Sequence, residues 1–472
     1  MMRFVLQMSG ILPMMTEMKW LFWGVSMAVL AAGSFFFMRA PSHVINLASD
    51  SPSVELPSVP EAPADGDLLA ATVKTNSDLP NQKPLANPPA VIKAVYATSW
   101  TAGSAAKTDY LISLIKETEL NAVVIDIKDY SGAIAYDIKN NLVDAYKTKE
   151  VRIPKINALI KKFHDNGIYA IARITVFQDP LLAAARPDLA VRDSSTGGAW
   201  RDDKGLAWID PTAKDAWEYI AVVARDAADG GFDELNFDYI RFPSDGNLAT
   251  MTFAGFDPAV SLRSTAMREF FTYLRGQLLG VPISIDLFGL VTVNRNDLGI
   301  GQVLEDALAH FDFVAPMAYP SHYATGFLTY QNPARHPYEV VRYSIETAIG
   351  RLREMANPKP APSADTSTPQ NPAGQSTSTP PFVGKLRPWL QDFDLGADYT
   401  SDLVRAQIQA VIDAGRGCGG STVVNPYFDS SPLIGNTVCA DATSTDAYAD
   451  AMPGFMLWNP ANIYTKGALR AE

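Results

Sequence analysis

GFDELNFDYIRFPSDG, residues 231–246, reads as a β-strand that stops abruptly. Leu235, Phe237 and Tyr239 alternate with Asn236 and Asp238, and Pro243, Asp245 and Gly246 then break the run. Alternation with period two marks a strand whose faces meet different surroundings. One face here is apolar, and the other carries a carboxylate just before the chain turns away.

Comparable strands recur on both sides. VIKAVYATSW begins at Val91, AVVIDIKD at Ala122, YAIARITVF at Tyr169, PISIDLFG at Pro282, FVAPMAYP at Phe313, KLRPWLQDF at Lys385 and GFMLWNP at Gly454. Each strand precedes a helical stretch, the last only a short helical tail. Eight strand–helix units in order predict a parallel sheet, and eight is the number that closes into an α/β (β/α)₈ TIM barrel. An open doubly wound sheet is the rival, but no glycine-rich turn follows the first strand.

The rest of the chain sets the context. Of its 472 residues 47% are apolar, enough for a large core, and the net charge is −12. No basic run offers a surface for phosphates, so nucleic acid is not an expected partner. Residues 1–19 form a short N-terminal segment. WLFWGVSMAVLAAGSFFFM, residues 20–38, has no charge and the length of a membrane span. It exceeds the apolar core of an ordinary signal peptide, which favours a retained transmembrane signal anchor over secretion after cleavage. Either reading exports the barrel to the extracytoplasmic side.

Residues 40–90, rich in Pro, Ser and Ala, read as a disordered linker, and the barrel is expected over 91–472. A low-complexity insertion, 357–381, interrupts it, as does an insertion at 417–452 that holds the only cysteines, Cys418 and Cys439. In an exported chain such a pair predicts a disulfide. The five histidines show no ligand spacing, so neither metal nor cofactor is expected.

Active sites of such barrels lie at the C-terminal strand ends. In the second strand Val123, Ile125 and Ile127 suit the helix layer, which sends Asp126 and Lys128 inward. The same parity sends Arg173, Asn236, Asp238 and Asp286 inward, then Arg387, Trp389 and Gln391, with Asp392 at the mouth. Burying one such charge for stability alone is ordinary. A cluster of three aspartates, a lysine and an arginine at one end points to a substrate cleft, because each unpaired buried ion costs several kcal/mol. Arg173 on the neighbouring strand is expected to hold Asp238 ionised as nucleophile or base. Asp286, further from the cations, is the candidate general acid. Two carboxylates across a cleft suit glycosidic bond cleavage. Asp126, Lys128, Arg173, Asn236, Gln391 and Asp392 are then candidate substrate contacts. Tyr239, Tyr319 and Trp458 could stack on sugar rings.

The strings VVIDIKDYSG, FDYIRFP, ISIDLFG, APMAYPSHY, RPWLQDF and MLWNPANIYT resemble a bacterial family known as "putative glycoside hydrolase domain", over roughly residues 91–467. The resemblance implies an exported barrel acting on glycosidic bonds. Laid over the chitinase-type motif D-x-x-D-x-D-x-E, the opening stretch matches at Asp233 and Asp238. Asn236 replaces an aspartate, and Ile240 stands in place of the catalytic glutamate, which disfavours substrate-assisted chemistry. The leading reading is a membrane-tethered glycoside hydrolase acting on a cell-wall or capsular polysaccharide. The alternative is a non-catalytic carbohydrate-binding or envelope scaffold protein on the same barrel.

Overall fold

A computed structural model of the chain describes residues 77–356, 384–416 and 454–471. The expected anchor (20–38), the linker before residue 77, the insertion 357–381 and the Cys418–Cys439 disulfide all lie outside the described residues.

Eight parallel strands close on themselves. They are β1 (Ile92–Ala97), β2 (Ala122–Lys128), β3 (Tyr169–Thr175), β4 (Glu234–Asp238), β5 (Ile283–Phe288), β6 (Phe313–Met317), β7 and β8 (Gly454–Trp458). β7 comes in two pieces, Lys385–Leu386 and Trp389–Gln391, because Pro388 has no amide to give to a ladder. Neighbours in sequence are neighbours in space, β8 pairs with β1, and Trp389 of β7 pairs with Met317 of β6 to complete the circle. The fold is a TIM barrel.

Helices cover the outside: α1 (Ala105–Lys116), α2 (Ile156–Asp165), α3 (Lys214–Gly230), α4 (Arg263–Gln277), α5 (Leu304–Leu308), α6 (Pro337–Ala356) and α7 (Ser401–Gly415). In α2 the buried set is Leu159, Ile160 and Phe163, a three-to-four spacing that lays one stripe on the sheet. The strand parity shows directly in the core. Val123, Ile125, Ile127, Leu235, Phe237, Ile283 and Ile285 belong to a large cluster shared with the helices. Ala94, Tyr96, Val124, Ile171, Tyr319, Trp389 and Met456 form a second, smaller cluster inside the barrel.

The folded part begins earlier than composition suggests. Residues 77–90, expected to belong to the linker, are placed against the barrel. Asp78 accepts the amides of Asn157 (2.8 Å) and Ala158 (3.1 Å) in the first turn of α2, whose own N-cap, Lys155, makes no side-chain cap. Gln82 donates to the Gly230 carbonyl at 3.1 Å. The turn that ends α3 takes Gly231 to φ 103°, and a Cβ there would come within 2.5 Å of the Gln82 carbonyl oxygen. Glycine is required on both counts. Composition misses this segment because its hold is polar rather than apolar.

Candidate active site

β2, β3, β4 and β5 deliver one charged side chain each to the C-terminal end of the barrel. Register brings them level: Asp126 pairs with Arg173, Arg173 with Asn236, and Asn236 with Ser284, two residues before Asp286. Arg173 is the hub. Its Nη1 donates to Asp126 Oδ1 at 2.5 Å, and its Nη2 donates to Asp238 Oδ2. Its Nε stands 3.7 Å from Asp286 Oδ2, too far for a hydrogen bond.

Each carboxylate has further partners. Tyr96 donates its hydroxyl to Asp126 Oδ2. Asp238 Oδ1 accepts the Tyr239 amide at 2.6 Å. That contact is local to the strand end, where Tyr239 takes the left-handed region at φ 51° and turns the chain away. A non-glycine residue there is a strained choice of the kind found at functional sites. Asp286 Oδ1 accepts from Asn236 Nδ2 (2.9 Å) and from Trp389 Nε1 (2.7 Å).

Three carboxylates thus share one guanidinium, and the charge does not balance. Asp286, 1% exposed, bears the consequence. Burial, and then the charge of Asp238, push its carboxyl up to about 8 against a partial offset from Arg173. Burial also raises Asp126, less the pull of Arg173. Burial and the neighbouring carboxylate thus favour the protonated form of Asp286, from which a proton can be donated.

Aromatic rings complete the walls. Trp458 stacks on Tyr96 with centroids 3.8 Å apart and planes 19° from parallel, and the guanidinium of Arg173 lies 5.0 Å from its centroid. Trp389 meets Trp458 edge-on at 5.6 Å. The resulting cavity holds about 490 Å³ and opens at the barrel mouth. Such a volume admits a small ligand or a sugar residue or two.

Of the expected site residues, Arg173, Asp238, Tyr239, Asp286, Tyr319 and Trp458 line this cavity. Asp126 and Asn236 stand behind them, holding Arg173 and Asp286. Their expected substrate contacts are therefore corrected to supporting roles, and three more assignments to substrate contact need correction. Lys128 is fully buried and spent on Asp179 (2.8 Å) and the Thr175 carbonyl (2.7 Å). A register shift between Asp126 and Lys128 sets the lysine opposite Ile174, a residue of the outer layer, so strand parity fails there. Gln391, also fully buried, joins Gln407, the Ser321 amide and the Phe393 carbonyl. Asp392 accepts the amide (2.9 Å) and hydroxyl (2.6 Å) of Thr465, fastening the last turn of the chain.

Sequence reasoning passed over Arg241, Lys204, Phe288 and His322, which also line the cavity. Arg241 stands in the opening stretch itself, but beyond the left-handed residue, where alternation no longer says which way a side chain points. Lys204 comes from the long loop after β3, which carries no periodicity. Among the described residues, no group of three or more His, Cys, Asp or Glu side chains is disposed to hold a metal ion.

A closed parallel barrel is the architecture of many glycoside hydrolases, and comparison with known proteins supports a glycoside hydrolase-like barrel. Residues 94–418 match the family described as "Putative glycosyl hydrolase domain", and the chain belongs to that family. The glycoside hydrolase domain of PgaB (BpsB) from Bordetella bronchiseptica shares the fold at 14% identity and TM-score 0.51, over 80% of this chain and 99% of that one. A hypothetical protein from Ruminiclostridium thermocellum is 36% identical over 44% of this chain and 98% of its own, with TM-score 0.38. No curated protein sequence matches this chain significantly.

Proposed function

We propose that the protein is a glycoside hydrolase in which Asp286 is the general acid and Asp238 the nucleophile or base. The observation that carries the reading is the convergence of Asp286 and Asp238 on Arg173 in one cavity, and the burial of Asp286 beside a second carboxylate, which favours its protonated form, supports it. Asp286 protonates the departing glycosidic oxygen. Asp238, which already accepts from a guanidinium and a backbone amide, faces the anomeric carbon directly or through water. As Asp286 gives up its proton, Arg173 Nε is the nearest cation to the new carboxylate and stabilises it. Trp458 and Tyr319 supply flat faces for sugar rings.

The substrate is a polysaccharide of the cell wall or capsule, reached by a barrel that residues 20–38 tether to the outer face of the membrane. The apolar run and the Pro-rich linker support that placement.

The test is a pair of substrates with the same sugar, one with a poor and one with a good leaving group. Asp286→Asn should lose two to four orders of magnitude on the poor leaving group and far less on the aryl glycoside, which needs no proton. Asp238→Asn should lose activity on both. Equal losses for Asp286→Asn on both substrates would remove it as the acid.

A further inference from the structure

Of the buried cations that line the cavity, Arg173 and Arg241, the mechanism uses only Arg173. Arg241 is 6% exposed and lines the cavity beside Asp238, Tyr239 and Asp286. Among the described residues it donates through Nη1 alone, to the Phe242 carbonyl (3.0 Å) and the Ser244 hydroxyl (3.1 Å), and Nε and Nη2 meet no acceptor there.

Among the described residues no carboxylate forms an ion pair with it. The acids near enough to influence it are Asp238, Asp245 and Asp202, and each is engaged elsewhere. Asp238 takes Arg173. Asp202 accepts from Gln178, Trp208 and the amides of Lys204 and Leu206. Asp245 accepts the Asp203 amide at 3.3 Å.

What holds the guanidinium instead is aromatic. Its centre lies 4.8 Å from the ring of Trp208, 5.5 Å from Tyr239 and 4.7 Å from Phe288. Rings fix a guanidinium in place and offset part of its desolvation, but they do not replace a counter-ion. Lys204, exposed on the loop after β3, lines the same cavity and also makes no ion pair among the described residues. The contrast with Arg173, which serves three carboxylates, is sharp.

We propose that Arg241, with Lys204, binds a carboxylate on the substrate, so that the glycan cleaved here carries uronic acid residues. This rests on the glycosidase reading and adds the substrate class. A free Nε/Nη edge presents two parallel N–H groups, the geometry that matches a planar carboxylate. The net charge of −12 repels such a polymer only weakly at a distance, because physiological salt screens charges beyond about 8 Å. Inside the cavity the local cations decide.

Binding is measured first, on the full-length protein carrying Asp286→Asn so that turnover does not interfere. The probes are oligosaccharides from a hexuronic acid polymer, the same oligosaccharides after carboxyl reduction, and a sulfated neutral glycan. The uronate should bind, and reduction of its carboxyls should abolish most of the affinity. Arg241→Gln on that background should weaken uronate binding about ten- to a hundredfold, the range for a charge-assisted hydrogen bond. Arg241→Lys keeps the charge but loses the fork and should fall between. Unfolding temperatures of both variants separate lost binding from lost fold. If Arg241→Gln unfolds early, Arg241→Lys and Lys204→Gln carry the test. Equal binding of native and carboxyl-reduced probes would overturn the proposal, as would binding of the sulfated probe alone or of no probe. Cleavage of the reduced glycan by the unmodified enzyme would then leave the glycosidase reading standing without the acidic substrate.

Discussion

The two ends of the barrel interior both bury charge, and they do so on different terms. At the N-terminal end Arg387 and Glu234 form an ion pair with both side chains fully buried, and the guanidinium lies 4.2 Å from the ring of Phe313. One cation meets one anion. At the C-terminal end Asp126, Asp238 and Asp286 converge on Arg173, while Arg241 stands nearby with no carboxylate of its own. The first arrangement balances its charge, although Arg387 Nε and Nη1 meet no acceptor among the described residues. The second is unbalanced and opens into a cavity, which favours a proton on one carboxyl, and Arg241 there makes no ion pair among the described residues. Imbalance, rather than burial itself, separates the site from the scaffold.

The comparison breaks first on activity. Asp238→Asn and Asp286→Asn should each cost at least 10²–10⁴ in rate on an unactivated glycan while the protein stays folded. The double variant should be little worse than the worse single one, because residues acting as a unit are not additive. Should both variants instead unfold early yet keep proportionate activity per folded molecule, the upper cluster would be scaffold like the lower one.

The lower end should show the converse. Glu234→Gln leaves Arg387 buried without its counter-charge and should cost about 3–5 kcal/mol of stability. Activity per folded molecule should be unchanged. Denaturant titration beside a rate assay reads both quantities.

pH sharpens the contrast further. The Asp286 carboxyl rises from an ordinary 3.8 to about 8 on folding, so the native state holds a proton that the unfolded chain releases. Stability should therefore be greatest below the unfolded value and decline as pH climbs from about 4 to about 8. Asp286→Asn should flatten that decline. The rate should also fall about tenfold per pH unit above about 8, as the acid loses its proton. An alkaline limb that persists unchanged in Asp286→Asn would assign the ionisation to another group.

The smallest effect concerns the segment before the barrel. Asp78→Ala removes a cap supplied from outside α2 and should cost about 1 kcal/mol, and removal of residues 77–90 should cost more. Thermal unfolding of the two forms checks it. No change in either would return the segment to the linker.

Much of the site was legible along the chain. Parity alone sends Asp126, Arg173, Asp238 and Asp286 to the interior, because a strand has only two faces and the apolar one is plain in VVIDIKD, FDYIRFP and ISIDLFG. Where parity breaks, so does the reading. The irregularity after Asp126 turns Lys128 toward the outer layer, and the left-handed Tyr239 hides the direction of Arg241. Gln391 lies on the right strand and Asp392 just beyond it, but loop residues take up their side-chain polar atoms first.

The sequence by itself thus determined the eight strands, their order with the helices between them, and the end of the barrel at which Asp126, Arg173, Asp238 and Asp286 gather. These depend on periodicities of two and 3.6 that each segment carries on its own. The tertiary structure alone decided how the charges are shared: that Arg173 serves three carboxylates, that Lys128 is neutralised by Asp179, and that Arg241 is left with rings for neighbours. Such pairings join residues from different strands and loops. They depend on distances of a few ångströms, across which the Coulomb energy and the cost of desolvation both change steeply.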